Sequence, residues 1–294
     1  MKEKIAIIIV TFNNEKDILE CIASCQPALS ADRQPVASSQ KSEIRSQLRI
    51  IIVDNASRDN TVNIIRHKFK SIEIIVNKQN VGFAKAVNQG IDKALKYRVD
   101  YVGLINPDAK FVKGGFTELI QLFKVINNLG IVAPIIQDDN DNFGFTLSLI
   151  WNKTIGKAKH LRVNKLPDKP LEQAIVSGCC MVIKREVLKL MGKFDDQFFL
   201  YNEDVDFCLR IKNFGFKIFI DPKIIILHKL NSENPDFRRD KIKYLFKSNI
   251  RLIQKHVQWY LRPMAVFYMV LGLLKIIVGE LGVLRGIREI INND

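Results

Sequence analysis

Short, wholly apolar runs alternate with amphipathic stretches through the first half of the chain. Ile5–Val10, Leu48–Val53, Ile72–Val76 and Tyr101–Ile105 are strand-length and rich in Ile and Val, as strands buried on both faces are. Between them, residues 15–25, about 58–70 and about 83–96 carry helical periodicity, and a further helix is predicted over about 113–127 before Ile131–Ala133. Strands alternating with helices predict a parallel, doubly wound α/β sheet. Ala174–Ile183 reads as a strand with Gly178 at its centre, Arg185–Met191 as a short helix, and Lys217–Pro222 and Ile224–His228 as two short strands. Residues 27–47 read as a surface loop. Residues 137–170 read as a β-rich or loop-rich flap.

In such sheets ligands bind beyond the carboxyl ends of the strands. The polar groups there are Thr11 and Asn13, Asp54 and Asn55, Asn80, and Asn106 and Asp108. Any one of them is ordinary turn chemistry. Four strand ends on one rim make that rim the candidate site. A second cluster stands at Tyr201-Asn202-Glu203-Asp204-Val205-Asp206, walled by Phe198, Phe199 and Phe207. Asn202 is a good N-cap residue, which places Glu203 and Asp204 in a first helical turn. Acids there complement the helix dipole, and apolar walls with like charges also raise a carboxylate's pKa into a catalytic range.

The 294 residues carry a net charge of +14. Residues 238–294 hold 11 Lys/Arg against 4 Asp/Glu, half of the excess in the last fifth of the chain. That bias points to an anionic partner for the tail. Ile242, Leu245, Phe246, Ile250, Ile253 and Val257 have helical spacing, and residues 263–284 are largely apolar but contain Lys275 and Glu280. A helix lying in a membrane interface fits this pattern better than a span, because a central Lys costs about 2.5–3.5 kcal/mol in a bilayer. The five cysteines have no paired zinc spacing and are expected as buried, reduced thiols of a cytosolic protein, and the N-terminus is not expected to be a signal peptide.

In order along the chain, Val10-Thr-Phe-Asn13, Val53-Asp-Asn-Ala-Ser57, Asn80-x-Gly-Phe-Ala-x-Ala-x-Asn88, Leu104-x-Asn-Pro-Asp108, Ser177-Gly178, Tyr201-x-Glu-Asp-x-Asp206 and His228 resemble the motifs of inverting family-2 glycosyltransferases, in the rhamnosyltransferase-like branch. The resemblance implies a GT-A fold, a Rossmann-like, mostly parallel sheet flanked by helices with a C-terminal helical extension. A catalytic domain over 1–235 would precede a basic, apolar membrane-association region over 236–294. It further implies that Thr11, Asn13, Asp54, Asn80, Gly82, Phe83, Asn88 and Asn106 line the nucleotide-sugar pocket. Asp108 and His228 would hold Mg²⁺ or Mn²⁺, with Asn106 uncharged where many relatives have Asp. Asp204 would be the general base, and Glu203 and Gly178 would shape the acceptor site. The implied partners are a nucleoside-diphosphate sugar (dTDP-rhamnose first, a UDP-sugar next), a saccharide or lipid-linked acceptor of surface polysaccharide synthesis, and the inner face of the cell membrane.

Two other functions compete with this reading. A nucleotide-sugar nucleotidyltransferase would carry a Gly-rich, Arg-containing loop where this chain has Thr11-Phe12-Asn13-Asn14. A nucleic-acid binder would suit the charge, but no nucleic-acid-binding motif is present.

Overall fold

The computed structural model describes residues 3–26, 48–138, 145–229 and 235–274. The expected loop over 27–47 and the tail beyond 274 lie outside the described residues. An eleven-stranded mixed sheet runs β3-β2-β1-β4-β10-β6-β11-β5. Its strands are β1 (Ile5–Thr11), β2 (Leu48–Asp54), β3 (Glu73–Val76), β4 (Tyr101–Ile105), β5 (Ala109–Lys113), β6 (Leu129–Asp138), β10 (Cys180–Lys184) and β11 (Lys217–His228), with β7 (Phe145–Asn152), β8 (Lys157–Val163) and β9 (Leu171–Glu172) off that path.

The side-chain period of two explains why the early strands are apolar throughout. Ala6, Ile8 and Val10 enter the core on one face, while Ile5, Ile7 and Ile9 enter the core on the other. Helices cover both faces. On the first lie α3 (Phe83–Lys96), α6 (Arg185–Met191) and α7 (Glu203–Asn213); on the second lie α1 (Ile18–Cys25), α2 (Thr61–Lys68) and the single-turn α4 (Phe116–Leu119), followed in the chain by α5 (Leu122–Val125).

The block β3-β2-β1-β4 is parallel, as expected. Beyond it β10 runs antiparallel to both β4 and β6, and β5 antiparallel to β11. β5 replaces the start of the helix expected over 113–127, of which only two single turns form. Gly114 and Gly115 separate strand from helix there. The expected pair of strands over 217–228 is one strand, β11, whose register against β6 shifts between Asp221 and Ile225; that irregularity admits Pro222. The strand expected from Ala174 begins only at Cys180, which leaves Ser177 and Gly178 in a turn. The 137–170 region is β-rich: β7 and β8 form a hairpin on β6, and the Leu149 N–H donates to the Ile175 carbonyl at 3.1 Å. All five cysteines are buried free thiols.

Candidate active site

Three tight turns follow β1, β2 and β3. The Asp54 carboxylate, almost fully buried, accepts from the Ser57 N–H at 3.0 Å and from the Ser57 hydroxyl. The Asn13 N–H donates to the same Ser57 Oγ at 2.9 Å, and Asn13 Oδ1 accepts from the Arg58 N–H at 2.7 Å. Thr11 Oγ1 donates to Asn14 Oδ1 at 3.2 Å. The first two strand ends are thereby one knot. Asn80 Oδ1 accepts from the Gly82 N–H at 2.9 Å, an Asx turn that opens α3. The side chain of Asn55 ties this turn to β2: it donates to the Gly82 carbonyl at 3.2 Å and accepts from Asn77 Nδ2 at 3.0 Å.

Gly82 then meets the acidic segment. Its φ of +88° is one that side-chain-bearing residues rarely adopt, and a Cβ there would stand 2.7 Å from the Phe199 carbonyl oxygen. That oxygen accepts from the Phe83 N–H at 2.7 Å. Asn88 is placed differently from a pocket-lining group. Its amide is taken up at both ends by the backbone of Phe194, as donor at 2.8 Å and acceptor at 3.1 Å.

The β5–β11 register puts His228 opposite Ala109, and so beside Asp108. His228 Nε2 lies 3.3 Å from Asp108 Oδ1, both side chains largely buried. Two ligands of one octahedral ion about 2.1 Å from it would stand about 3 Å apart, so this pair fits a shared divalent cation. Among the described residues no third His, Cys, Asp or Glu completes the set. That suits a cation whose other ligands are diphosphate oxygens and water. The Cys179 sulfur, opposed by burial and aided by Asp108, holds a proton on His228 and pushes its pKa up to about 11.

Asp204 sits in the first turn of α7. Gly178 N–H donates to its Oδ2 at 2.7 Å and Val205 N–H to its Oδ1 at 2.8 Å. Burial raises its pKa; these amides, and the charge of His160 on β8, pull the other way. Glu203 is only 6% exposed, and its Oε2 has no hydrogen-bond partner among the described residues. Burial first, then the neighbouring Asp204 charge, push Glu203 up to about 8. Two buried adjacent carboxyls do not both ionise at neutral pH. The two N–H donors favour the charged form of Asp204, and Glu203, with its pKa up at about 8, is the more readily protonated of the two.

The Ser177–Cys179 turn joins both halves. Gly178 holds Asp204, while the next residue accepts from the Asn106 N–H through the Cys179 carbonyl at 2.8 Å and faces His228 with its sulfur. The described structure therefore brings a carboxylate base candidate and the Asp108–His228 pair to one turn.

The model of the family described as Glycosyl transferase family 2 matches residues 6–192. The chain belongs to glycosyl transferase family 2. This glycosyltransferase is 21% identical, over 239 residues, to an N-acetylglucosaminyl-diphospho-decaprenol L-rhamnosyltransferase of Mycobacterium tuberculosis, covering 73% of this chain and 78% of the relative. It is 24% identical over 238 residues to the dTDP-rhamnosyl transferase RfbF of Shigella flexneri, covering 80% and 72%. Among solved structures it resembles GalNAc-T7 with UDP, GalNAc and Mn²⁺, at a TM-score of 0.62 and 14% identity, covering 86% of this chain but only 48% of that one. It also resembles the mannosyltransferase PcManGT of Pyrobaculum calidifontis with GDP-Man and Mn²⁺, at 0.60 and 14%, covering 95% and 76%. These likenesses establish the GT-A fold and leave the rival functions without support.

In the glycosyltransferase, α7 is locked from behind by α8 (Pro235–His256). Asp206, wholly buried, accepts from Arg210 Nε at 2.9 Å and meets His256 Nε2 at 2.8 Å and Lys255 Nζ at 2.6 Å. Burial alone would raise its pKa; His256, Lys255 and Arg210 outweigh that and hold it at about 2. Asp195 accepts from Arg251 and Lys255. Asn202 stands at the N-cap position but does not cap. Its φ is +64°, and its Nδ2 donates instead to Asn249 Oδ1 of α8 at 3.0 Å. Sequence reading missed this lock. The available signal was the i, i+4 pair Arg251 and Lys255 on the tail helix, read there only as positive charge.

Proposed function

We propose that this enzyme transfers a sugar with inversion from a nucleoside-diphosphate donor to a hydroxyl of a saccharide or lipid-linked acceptor. A dTDP-deoxysugar such as dTDP-rhamnose is the first donor to test, since two relatives carry rhamnosyl transfer in their names. The observation that carries the reading is the single turn at Gly178 and Cys179, with Asp204 on one side of it and the Asp108–His228 pair on the other.

Asp204, ionised and held by two amides, accepts the acceptor hydroxyl's proton as that oxygen attacks the anomeric carbon, a contribution of about 10²–10⁴-fold. Glu203, neutral, keeps negative charge away from the incoming oxygen and offers a donor to it. The loops of Asn13, Asp54 and Asn80 hold the nucleoside. A divalent cation, when bound by Asp108 and His228, supplies charge neutralisation for the leaving diphosphate; Mn²⁺ suits the imidazole better than Mg²⁺ does. In-line displacement by one oxygen needs no second carboxylate as nucleophile, and it inverts the anomeric centre. The reading places the enzyme on the cytoplasmic face of the membrane, where a diphospholipid-linked acceptor such as that in the mycobacterial relative's name would be met.

The test is nucleoside-diphosphate release across dTDP-, UDP- and GDP-sugars with Mn²⁺ or Mg²⁺, in wild type and Asp204→Asn. Turnover of one donor class, lost in the variant with donor binding retained, is expected. Wild-type turnover in Asp204→Asn would refute the base assignment.

A further inference from the structure

Beyond α8 the chain turns through Trp259–Leu261 into α9, a helix over residues 262–274 that is apolar around its circumference. One side packs inward: Ala265 is fully buried in a small cluster with Ile253, Val257 and Trp151, and Leu273 is 9% exposed. The other side is uncovered among the described residues. Phe267 is 61% exposed, Tyr268 51%, Leu271 39% and Leu274 50%, at the spacing of one helical face. Trp259, 77% exposed, and Tyr260, 59%, extend that face onto the preceding turn. Contiguous exposed aromatics of this kind mark an interaction surface rather than ordinary solvated side chains.

Charge selects the occupant. Residues 152–165, on the β7–β8 hairpin, hold five Lys/Arg and no Asp/Glu; of the five Lys/Arg in residues 242–274, Arg251 and Lys255 are taken up by Asp195 and Asp206. The two stretches meet. A Cβ on Gly156, at the hairpin tip, would stand 2.7 Å from Ile253 and 2.9 Å from Val257, so the exposed Lys153 and Lys157 flank the α8–α9 turn that bears Trp259. An apolar face edged by Trp and Tyr and rimmed by lysines matches the acyl boundary and headgroups of an anionic bilayer. No helix among the described residues is long and apolar enough to cross a membrane, so the helix would lie in the interface.

We infer that the outer face of α9, with Trp259, Tyr260 and the Lys153–Lys157 hairpin tip, is a docking surface for an anionic phospholipid bilayer. This deepens the membrane-face location proposed above by naming the surface.

Vesicle flotation of the full-length protein tests it and needs neither donor nor acceptor, so it stands or fails apart from glycosyl transfer. Vesicles of equal parts phosphatidylcholine and phosphatidylglycerol should carry the protein up, with Trp259 fluorescence shifting blue; phosphatidylcholine alone should carry far less. The double variant Phe267→Glu with Leu271→Glu should bind at least roughly tenfold more weakly. Lys153→Gln with Lys157→Gln should lose about tenfold on anionic vesicles and flatten the salt dependence. Unchanged thermal unfolding would show that both variants fold. Absence of wild-type flotation, or undiminished flotation of the Phe267/Leu271 variant, overturns the inference. So does a wild-type dimer that the same variant makes monomeric without any vesicle binding, which would assign the face to a second copy. Complete protection of the Tyr260 and Tyr268 side chains from aqueous nitration without vesicles would assign it to the chain's own remaining residues, and likewise overturn it.

Discussion

Gly178 and Asp204, 26 residues apart, are joined by a 2.7 Å hydrogen bond from backbone N–H to carboxylate. The contact leaves tight space for a side chain at 178. A Cβ there would stand 3.1 Å from Asp204 Cβ and 3.3 Å from its Oδ2. Gly178→Ala is therefore expected to push the carboxylate aside by a few tenths of an ångström. Misplaced catalytic groups lose up to about 10²-fold in rate. Steady-state kinetics should show kcat falling about tenfold or more with donor KM nearly unchanged; equal kcat would show that Asp204 is not held by this turn.

Glu203 has its pKa raised to about 8 in the folded state, against an ordinary value of 4.5. Stability from the neutral form is complete below the unfolded-state pKa and drains away as pH rises toward 8, at up to about 1.4 kcal/mol per pH unit. Glu203→Gln keeps the shape and removes the titration. Its unfolding midpoint in urea should match wild type near pH 4.5 and exceed it increasingly toward pH 8. Parallel curves at all pH values would mean that Glu203 is ionised in the native protein.

His228 must give up a proton before Nε2 binds a cation, because its pKa stands at about 11. Apparent Mn²⁺ affinity, read by electron paramagnetic resonance of the free ion, should tighten with rising pH, by at most about tenfold per unit. His228→Ala should weaken Mn²⁺ binding at least about tenfold and flatten that pH dependence. Unaltered binding in the variant would remove His228 from the cation site.

Asp206 anchors α7 to α8, and its pKa is depressed from 3.8 to about 2. The stability this carries is present above the unfolded-state value and is lost as pH falls through about 2, a contribution of about 2 kcal/mol. Asp206→Asn leaves Arg210, Lys255 and His256 around a neutral amide. Removing one member of a buried charge cluster costs about 3–5 kcal/mol. Chemical denaturation near pH 7 should show a loss of that order, and amide exchange should quicken in α8 before the sheet. A loss below about 1 kcal/mol would fit a surface ion pair instead.

The parallel block was legible because its strands are buried on both faces, so local hydrophobicity and tertiary burial coincide at Ile5–Val10 and Leu48–Val53. β5 was not legible. Ala-Lys-Phe-Val-Lys over 109–113 is an edge strand, half polar, and it becomes a strand only because β11 arrives beside it. Gly178 was noticed but set inside a strand; the turn that holds it is decided by Asp204, which lies on another element. Asn202 has the composition of an N-cap and was read so. Tertiary partners outcompeted that local preference: Asn249 takes its amide, and the backbone adopts a left-handed turn.

By itself the sequence determined the alternation of strands and helices, the positions of the rim turns, the acidic start of α7 and the family resemblance. The elements and turns depend on residues near one another in the chain, where propensity and periodicity act, and the resemblance on the order of short motifs along it. Only the tertiary structure decided that one turn serves both Asp204 and the Asp108–His228 pair, that Asn88 clamps Phe194, that α8 locks α7 through Asp206, and which face of α9 is left uncovered among the described residues. Those outcomes depend on contacts between segments tens to more than a hundred residues apart, whose geometry is set by packing the whole sheet at once and is written in no local pattern.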